Sequence, residues 1–313
     1  MIYRDLGKTG FSVSCIGQGC WNIGNQWKPM TEKEAADIIR EAYDCGINIY
    51  DVADNYGQPN GTSELRLGKN IKDIRSKIYI VSKIGHWGER SGQPVPYTTP
   101  DMVRLCGHGS LGRLQTSYLD AVLCHDGFIE DPTVYIEGLE ALKKEGFIRE
   151  YGISTDSLEV LKRFYDMSDG HCSVVELEYS MVCPEAEHNG LLDYCREKNL
   201  GVLVRGPLCQ GLVNGKYTKD SVFTDSVRIN YNVGKRYREK FEHCIDIMER
   251  IKAEFGTENL IELALQYVNS HEAAPVSIPG ATSVAQVRSN ARAGERLLDE
   301  RTLDSLRALN VGI

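Results

Sequence analysis

Eight short apolar runs, most of them followed by a segment of helical period, constrain this chain more than any other feature. They cover residues 15–19, 48–53, 77–83, 119–125, 150–154, 174–180, 201–207 and 274–280. Strands that alternate with helices pair in parallel through right-handed crossovers. Eight such units without a break in composition favour closure into a (β/α)8 TIM barrel over two separate domains. The length of 313 residues suits this reading, since such barrels commonly take about 250 residues. The sequence therefore predicts one barrel domain over residues 1–313.

Local signals agree with that frame. Thr31-Glu-Lys-Glu34 reads as a capping box ahead of a helix over 35–43, Thr99-Pro-Asp101 opens another, and a third runs over 132–144 and ends at Gly146. Residues 3–6 and 11–13, joined by Gly7-Lys-Thr-Gly10, predict an N-terminal β-hairpin that caps the barrel floor. Segments 84–98 and 208–235 exceed ordinary loops and, in a barrel, fall on the C-terminal face, where active sites are built. Both are candidate lids. Residues 244–255 and 259–269 predict two consecutive helices, one more than a minimal barrel needs.

Composition removes several classes of partner. With 36 Lys and Arg against 44 Asp and Glu, the formal charge is −8, so neither nucleic acid nor an anionic membrane is an expected partner. No run approaches the roughly 18 apolar residues of a membrane span, and the opening lacks a signal-peptide pattern. The ten cysteines are scattered without a C-x-x-C pair and read as reduced thiols of a cytoplasmic protein. Cys124, beside His125, has apolar neighbours that suit a small buried hydrophobe better than a nucleophile. The remaining histidines show no H-x3-H or His–Cys spacing, so no metal site is expected. Gly107-His-Gly109-Ser-Leu-Gly112 satisfies G-x-G-x-x-G but follows a helix start rather than a strand. It predicts a glycine-weakened outer helix, not a dinucleotide loop. The charged run 236–240 reads as a solvated helix face.

Polar residues at the ends of apolar strands carry the chemistry. The second run leads through Asp51 to Tyr56, the third ends at Lys83 and the fourth at His125. Singly, these are a turn cap, a solvated strand end and a satisfied core histidine. Barrel closure brings the strand ends together, so jointly they form a site. An ammonium beside a phenol lowers its pKa, a carboxylate holds that ammonium in place, and a neutral imidazole orients a carbonyl oxygen. Such a site holds no nucleophile of its own, so a hydride must come from a cofactor.

These residues lie in motifs that resemble the aldo-keto reductase family over nearly the whole chain. The run from Gly46 to Gly57, with Ser63-Glu64 and Gly68, is similar to the family signature around its catalytic Asp and Tyr. Val81-Ser-Lys83 and Tyr118–His125 resemble its lysine and histidine strands, and 139–154 its passage into strand five. Gly206-Pro-Leu-Cys-Gln-Gly211 and Ile278-Pro-Gly280 resemble its two cofactor segments.

The resemblance implies NADP or NAD bound at the C-terminal mouth, with Tyr56 as general acid, Lys83 and Asp51 tuning it and His125 orienting a small-molecule carbonyl or alcohol. It also implies cofactor contacts from Ser154, Thr155, Glu176, Arg205, Gly206, Pro207, Leu208, Gln210, Gly211, Gly280, Thr282, Ser283, Gln286 and Asn290. Three departures stand out: Thr155 where the family usually has Asn, Glu176 where it has Gln, and Arg205 where many members stack a Tyr on the nicotinamide. An ionised Glu accepts from a carboxamide nitrogen but cannot donate to its oxygen. In the segment after strand eight, Gly280 replaces a Lys and Gln286 an Arg, which removes two cations that would grip a 2′-phosphate. Trp21 and Trp87 are expected to wall the substrate pocket. The competing reading is a cofactor-binding regulatory or sensor protein of the same fold, as potassium-channel β subunits are; an intact Asp51, Tyr56, Lys83 and His125 set favours turnover.

Overall fold

A computed structural model describes residues 1–310. Strands β1 (Tyr3–Asp5) and β2 (Ser12–Ser14) form the expected antiparallel hairpin. Eight parallel strands follow: β3 (Gln18–Gly19), β4 (Ile49–Asp51), β5 (Tyr79–Ile84), β6 (Leu119–Cys124), β7 (Ile148–Ser154), β8 (Val174–Glu178), β9 (Gly201–Arg205) and β10 (Val276–Ser277). Each pairs with its neighbour in chain order. Bridges Ile16↔Ser277 and Gly19↔Gly280 join the first strand to the last and close the barrel.

The helices fall between the strands as the capping signals predict. Thr31 accepts from the Glu34 N–H while Glu34 accepts from the Thr31 N–H, a complete capping box for Glu32–Asp44. The G-x-G-x-x-G segment lies inside helix Pro100–Leu114. A Cβ on Gly107 would stand 2.6 Å from Leu142, so this glycine serves close helix packing and not phosphate binding. Helix Arg238–Phe255 begins six residues before the expected start and is followed by Leu260–Asn269, the surplus pair. Its first turn is not purely solvated, because Lys240 bonds Glu178 of β8 at 3.0 Å.

Two apolar layers account for the closure. Inside the barrel, Leu6, Phe11 and Val13 of the hairpin pack against Ile49, Val81, Ala121, Leu123, Val174, Leu203, Val276 and Ile278. The hairpin is therefore a plug for the floor, with Phe11 stacked on Tyr79 at 4.9 Å. Outside, the opposite faces of the strands pack against the helices as the larger core.

The period of two along a strand then dictates the site. Ile49, Val81, Leu123, Val174 and Leu203 point inward, so the residues two further on share their side. Those residues are Asp51, Lys83, His125, Glu176 and Arg205, all at the C-terminal mouth. An apolar layer below and an ionisable layer above follow directly from register.

Candidate active site

Lys83 organises the mouth. Its side chain is fully buried, and Nζ donates to Asp51 Oδ1 at 2.5 Å, to the Val52 carbonyl at 3.2 Å and to the Tyr56 hydroxyl at 3.3 Å. Glu176 Oε2 stands 3.1 Å from the same nitrogen but off the line of a directed hydrogen bond, so the contact is an ion pair only. Two carboxylates thus face one ammonium. Lys83 is held protonated against its own burial by Asp51, Glu176 and Tyr56. Asp51 is pushed well up, first by burial and then by the Glu176 charge.

Tyr56 departs from the expected direction. Lys83 does pull its pKa down, but burial, Asp51 and Glu176 outweigh that pull and the phenol is raised well above its ordinary value. Tyr56 is therefore a firmly protonated donor before any ligand binds. The His125 ring packs edge-on to Tyr56 at 5.9 Å. Burial, Lys83, His86 and Arg205 hold it well below the ordinary imidazole pKa. Its Nδ1 is buried without a partner in the protein, which leaves the ring neutral and its tautomer open to a ligand.

The remaining predicted residues divide by what already engages them. Ser154 is buried at the end of β7, beside Glu176 in register. The Thr155 hydroxyl is spent on its own loop, donating to the Gly127 carbonyl at 2.7 Å and accepting from the Ser157 N–H. Arg205 forms ion pairs with Asp156 and, at 3.7 Å, with Glu178, so its guanidinium is pinned at the rim. Gly206, Pro207, Leu208, Gln210 and Gly211 form the turn after β9, with Gly206, Gln210 and Gly211 at positive φ.

The segment after β10 is equally specific. A Cβ at Gly280 would lie 2.6 Å from Asn22, so a lysine there would displace that side chain. Gln286 Oε1 accepts from the Thr282 N–H at 2.7 Å and its hydroxyl at 3.1 Å, while Ser283 caps the helix Val284–Ala293. Asn290 is buried on this helix. Arg288, the nearest cation in sequence, is tied to Glu41 at 2.6 and 3.2 Å.

Trp21 meets Trp27 edge-on at 6.2 Å, and Arg228 of the second long loop lies 5.1 Å over Trp27. Trp87 packs under Arg113 at 4.4 Å. Cys124 is buried, as its apolar neighbours implied.

Two groups at the mouth escaped the sequence reading. His86 stands 4.7 Å from the His125 ring and pairs with Glu89 at 2.6 Å. Asp54, pushed up to about 7 by burial and Glu64, is fully buried two residues before Tyr56. Asp54 lies in the same strand-end run as Asp51 and was legible there; His86 carried no signal beyond its place after Lys83.

The mouth thus gathers a phenol, an ammonium, two carboxylates and an imidazole, and comparison with known proteins supports an NAD(P)-dependent oxidoreductase. The sequence profile of the Aldo/keto reductase family matches residues 15–311, and the chain belongs to that family. The holo structure of aldo-keto reductase AKR11C1 from Bacillus halodurans is similar at TM-score 0.81 and 30% identity, covering 99% of this chain and 96% of that one. An aldo/keto reductase from Klebsiella pneumoniae, in complex with NADP and acetate, reaches TM-score 0.74 at 26% identity, over 97% and 94% of the two chains. The NADH-specific methylglyoxal reductase of Escherichia coli (strain K12) is 29% identical, covering 92% of each chain. No described helix is long and apolar enough to cross a membrane.

Proposed function

We propose that this protein reduces an aldehyde or ketone to an alcohol with NADPH or NADH, Tyr56 giving the proton. The observation that carries this reading is the buried Lys83 ammonium, bonded to Asp51 and 3.3 Å from the Tyr56 hydroxyl. The mouth suits a nicotinamide dinucleotide: Glu176, whose Oε2 is ion-paired with Lys83 but takes no hydrogen bond, and the buried Ser154 stand side by side to meet a carboxamide. The Val284 and Ala285 N–H groups open helix Val284–Ala293, ahead of the Gln286 N–H that Ser283 caps, and suit a phosphate.

A bound reduced nicotinamide supplies the hydride. As negative charge grows on the carbonyl oxygen, Tyr56 passes it a proton, and Lys83 stabilises the phenolate left behind. Asp51 keeps Lys83 charged and aimed. The neutral His125 donates one N–H to the same oxygen and fixes which face of the carbonyl is presented. The test is loss of reduced-nicotinamide absorbance against a panel of aldehydes, ketones and sugars. Tight cofactor binding without turnover on the whole panel would favour the sensor reading.

Glu176 sets the pH behaviour. Oxidation of an alcohol needs the Tyr56 phenolate, which two carboxylates disfavour, so the oxidative reaction rises only at alkaline pH while reduction stays flat through neutrality. Glu176→Gln removes one of those charges. The alkaline rise of kcat for oxidation is expected to move down by about 1 pH unit or more. A midpoint that stays where it was would take Glu176 out of the electrostatics of Tyr56.

Cofactor choice follows from the segment after β10. The two cation positions are filled by Gly280 and Gln286, and Arg288 is held by Glu41. Each charge-assisted bond is worth about 1.5–3 kcal/mol, so losing two erases a preference of about a hundredfold or more. NADH is expected to be used with kcat/KM within about thirtyfold of NADPH, and Gln286→Arg to move the ratio toward NADPH. The NADH-specific relative is in keeping with this. Initial rates with both cofactors at one ionic strength decide it; a preference for NADPH beyond about a thousandfold would mean that another group grips the phosphate.

A further inference from the structure

Three cysteines that spacing keeps far apart meet beside the barrel mouth. Cys183 lies in the tight turn after β8, closed by paired backbone bonds between Ser180 and Cys183. Cys209 follows β9 in the turn after Gly206, and Cys244 sits on helix Arg238–Phe255. Their sulfurs form a nearly equilateral triangle with edges of 3.8, 3.9 and 3.9 Å. All three are free and at most 3% exposed.

We propose that Cys183, Cys209 and Cys244 form a binding site for one thiophilic d10 cation, zinc(II) or copper(I). A triangle of these edges has its centre about 2.2 Å from each sulfur. An ion raised about 0.5 Å above that plane meets all three at about 2.3 Å, the ordinary zinc–thiolate distance. Sulfurs of a tetrahedral zinc site likewise stand about 3.8 Å apart. Little rearrangement is needed. A soft, all-sulfur donor set selects such ions over magnesium or calcium.

The bland alternative is three small hydrophobes in van der Waals contact, which buried cysteines do form. Convergence argues against it. The sulfurs come from two neighbouring strand-end turns and from a helix across the core, and Cys209 takes a left-handed backbone with φ of 45° to be there. Binding zinc releases the three thiol protons to solvent. The bound ion clips the turn after β9 to the helix that follows the second long loop.

This site is independent of the carbonyl reading, and its test does not measure turnover. The full chain, untagged, is produced in cells supplied with zinc and analysed for metal after gel filtration in a thiol-free reductant. In parallel, native protein is incubated anaerobically with Co2+ as a spectroscopic stand-in for zinc, and with Cu+. About one equivalent of zinc or copper per chain is expected, with a thiolate-to-cobalt charge-transfer band in the cobalt sample. Cys244→Ser and Cys183→Ser are expected to lower the metal content at least about tenfold, whereas Cys106→Ser leaves it unchanged. If either variant fails to fold, the intensity of the wild-type cobalt band decides, since it scales with the number of thiolates on one ion and, among the described residues, only Cys183, Cys209 and Cys244 bring three together. Wild-type protein below about a tenth of an equivalent with both ions, or serine variants that keep wild-type content, would overturn the proposal.

Discussion

Replacing Tyr56 with Phe is expected to lower kcat for carbonyl reduction by about 10²–10⁴ while cofactor affinity stays near wild type. The change removes one hydroxyl and little volume, and that hydroxyl's protein partner is Lys83 at 3.3 Å. Lys83 keeps Asp51 and Glu176, so the buried ion pairs are unchanged and the fold is unaffected. The effect is confined to the proton. Steady-state kinetics give kcat and fluorescence titration gives the cofactor Kd. If the variant keeps more than about a third of wild-type kcat with chemistry rate-limiting, another group supplies the proton. His125 would be the first to examine, since its unpartnered Nδ1 lies in the same cluster.

Most of the fold was legible because a parallel barrel writes each strand as an apolar run. The central strands β5 to β9 fall within one or two residues of the expected bounds or within them. The first and last runs shrink to two residues each, since closure there rests on isolated bridges at Ile16 and Gly19 and not on a continuous ladder. Helix Arg238–Phe255 was expected late because its first turn, Arg238-Glu-Lys, carries no apolar period; an i,i+4 ion pair of Arg238 with Glu242 and a tertiary one of Lys240 with Glu178 define it instead.

Site chemistry divides in the same way. Asp51, Tyr56, Lys83 and His125 stood out because ionisable residues interrupt apolar strands, and register alone then carries Asp51, Lys83 and His125 to one mouth. The meaning of Glu176 did not stand out. That residue was visible as a departure from Gln, but its reach to Lys83 spans the barrel interior from β8 to β5, which no local pattern encodes. The fate of Arg288 likewise depends on Glu41, 247 positions away. The cysteine triangle is the extreme case, since its members are 26 and 35 residues apart and share no motif.

Lys83→Met is expected to abolish reduction, for two reasons that can be separated. The catalytic one is that the phenolate of Tyr56 loses its counter-charge, so any residual reaction titrates at higher pH. The structural one is that Asp51 and Glu176 are left buried with no cation between them, and breaking a buried pair from one side costs about 3–5 kcal/mol. The sign of the pH dependence follows from the carboxylates. Asp51 already sits well above the ordinary range through burial and the Glu176 charge, and without Lys83 nothing opposes that shift. A carboxyl raised in the folded state supports folding fully below its unfolded pKa of about 4 and loses that support as pH rises through its folded value. The variant is therefore expected to melt higher at pH near 5 than near 7.5, with a steeper slope than the wild type, whose raised Asp51 and Asp54 already give one of the same sign. Asp51→Asn does less damage, because Glu176 remains 3.1 Å from Lys83 and keeps it charged. Kinetics at matched folded fraction, with melting curves at both pH values, test the hierarchy. If Asp51→Asn proves more damaging than Lys83→Met at equal folded fraction, Glu176 does not support Lys83 and the ordering of charges at this mouth is wrong.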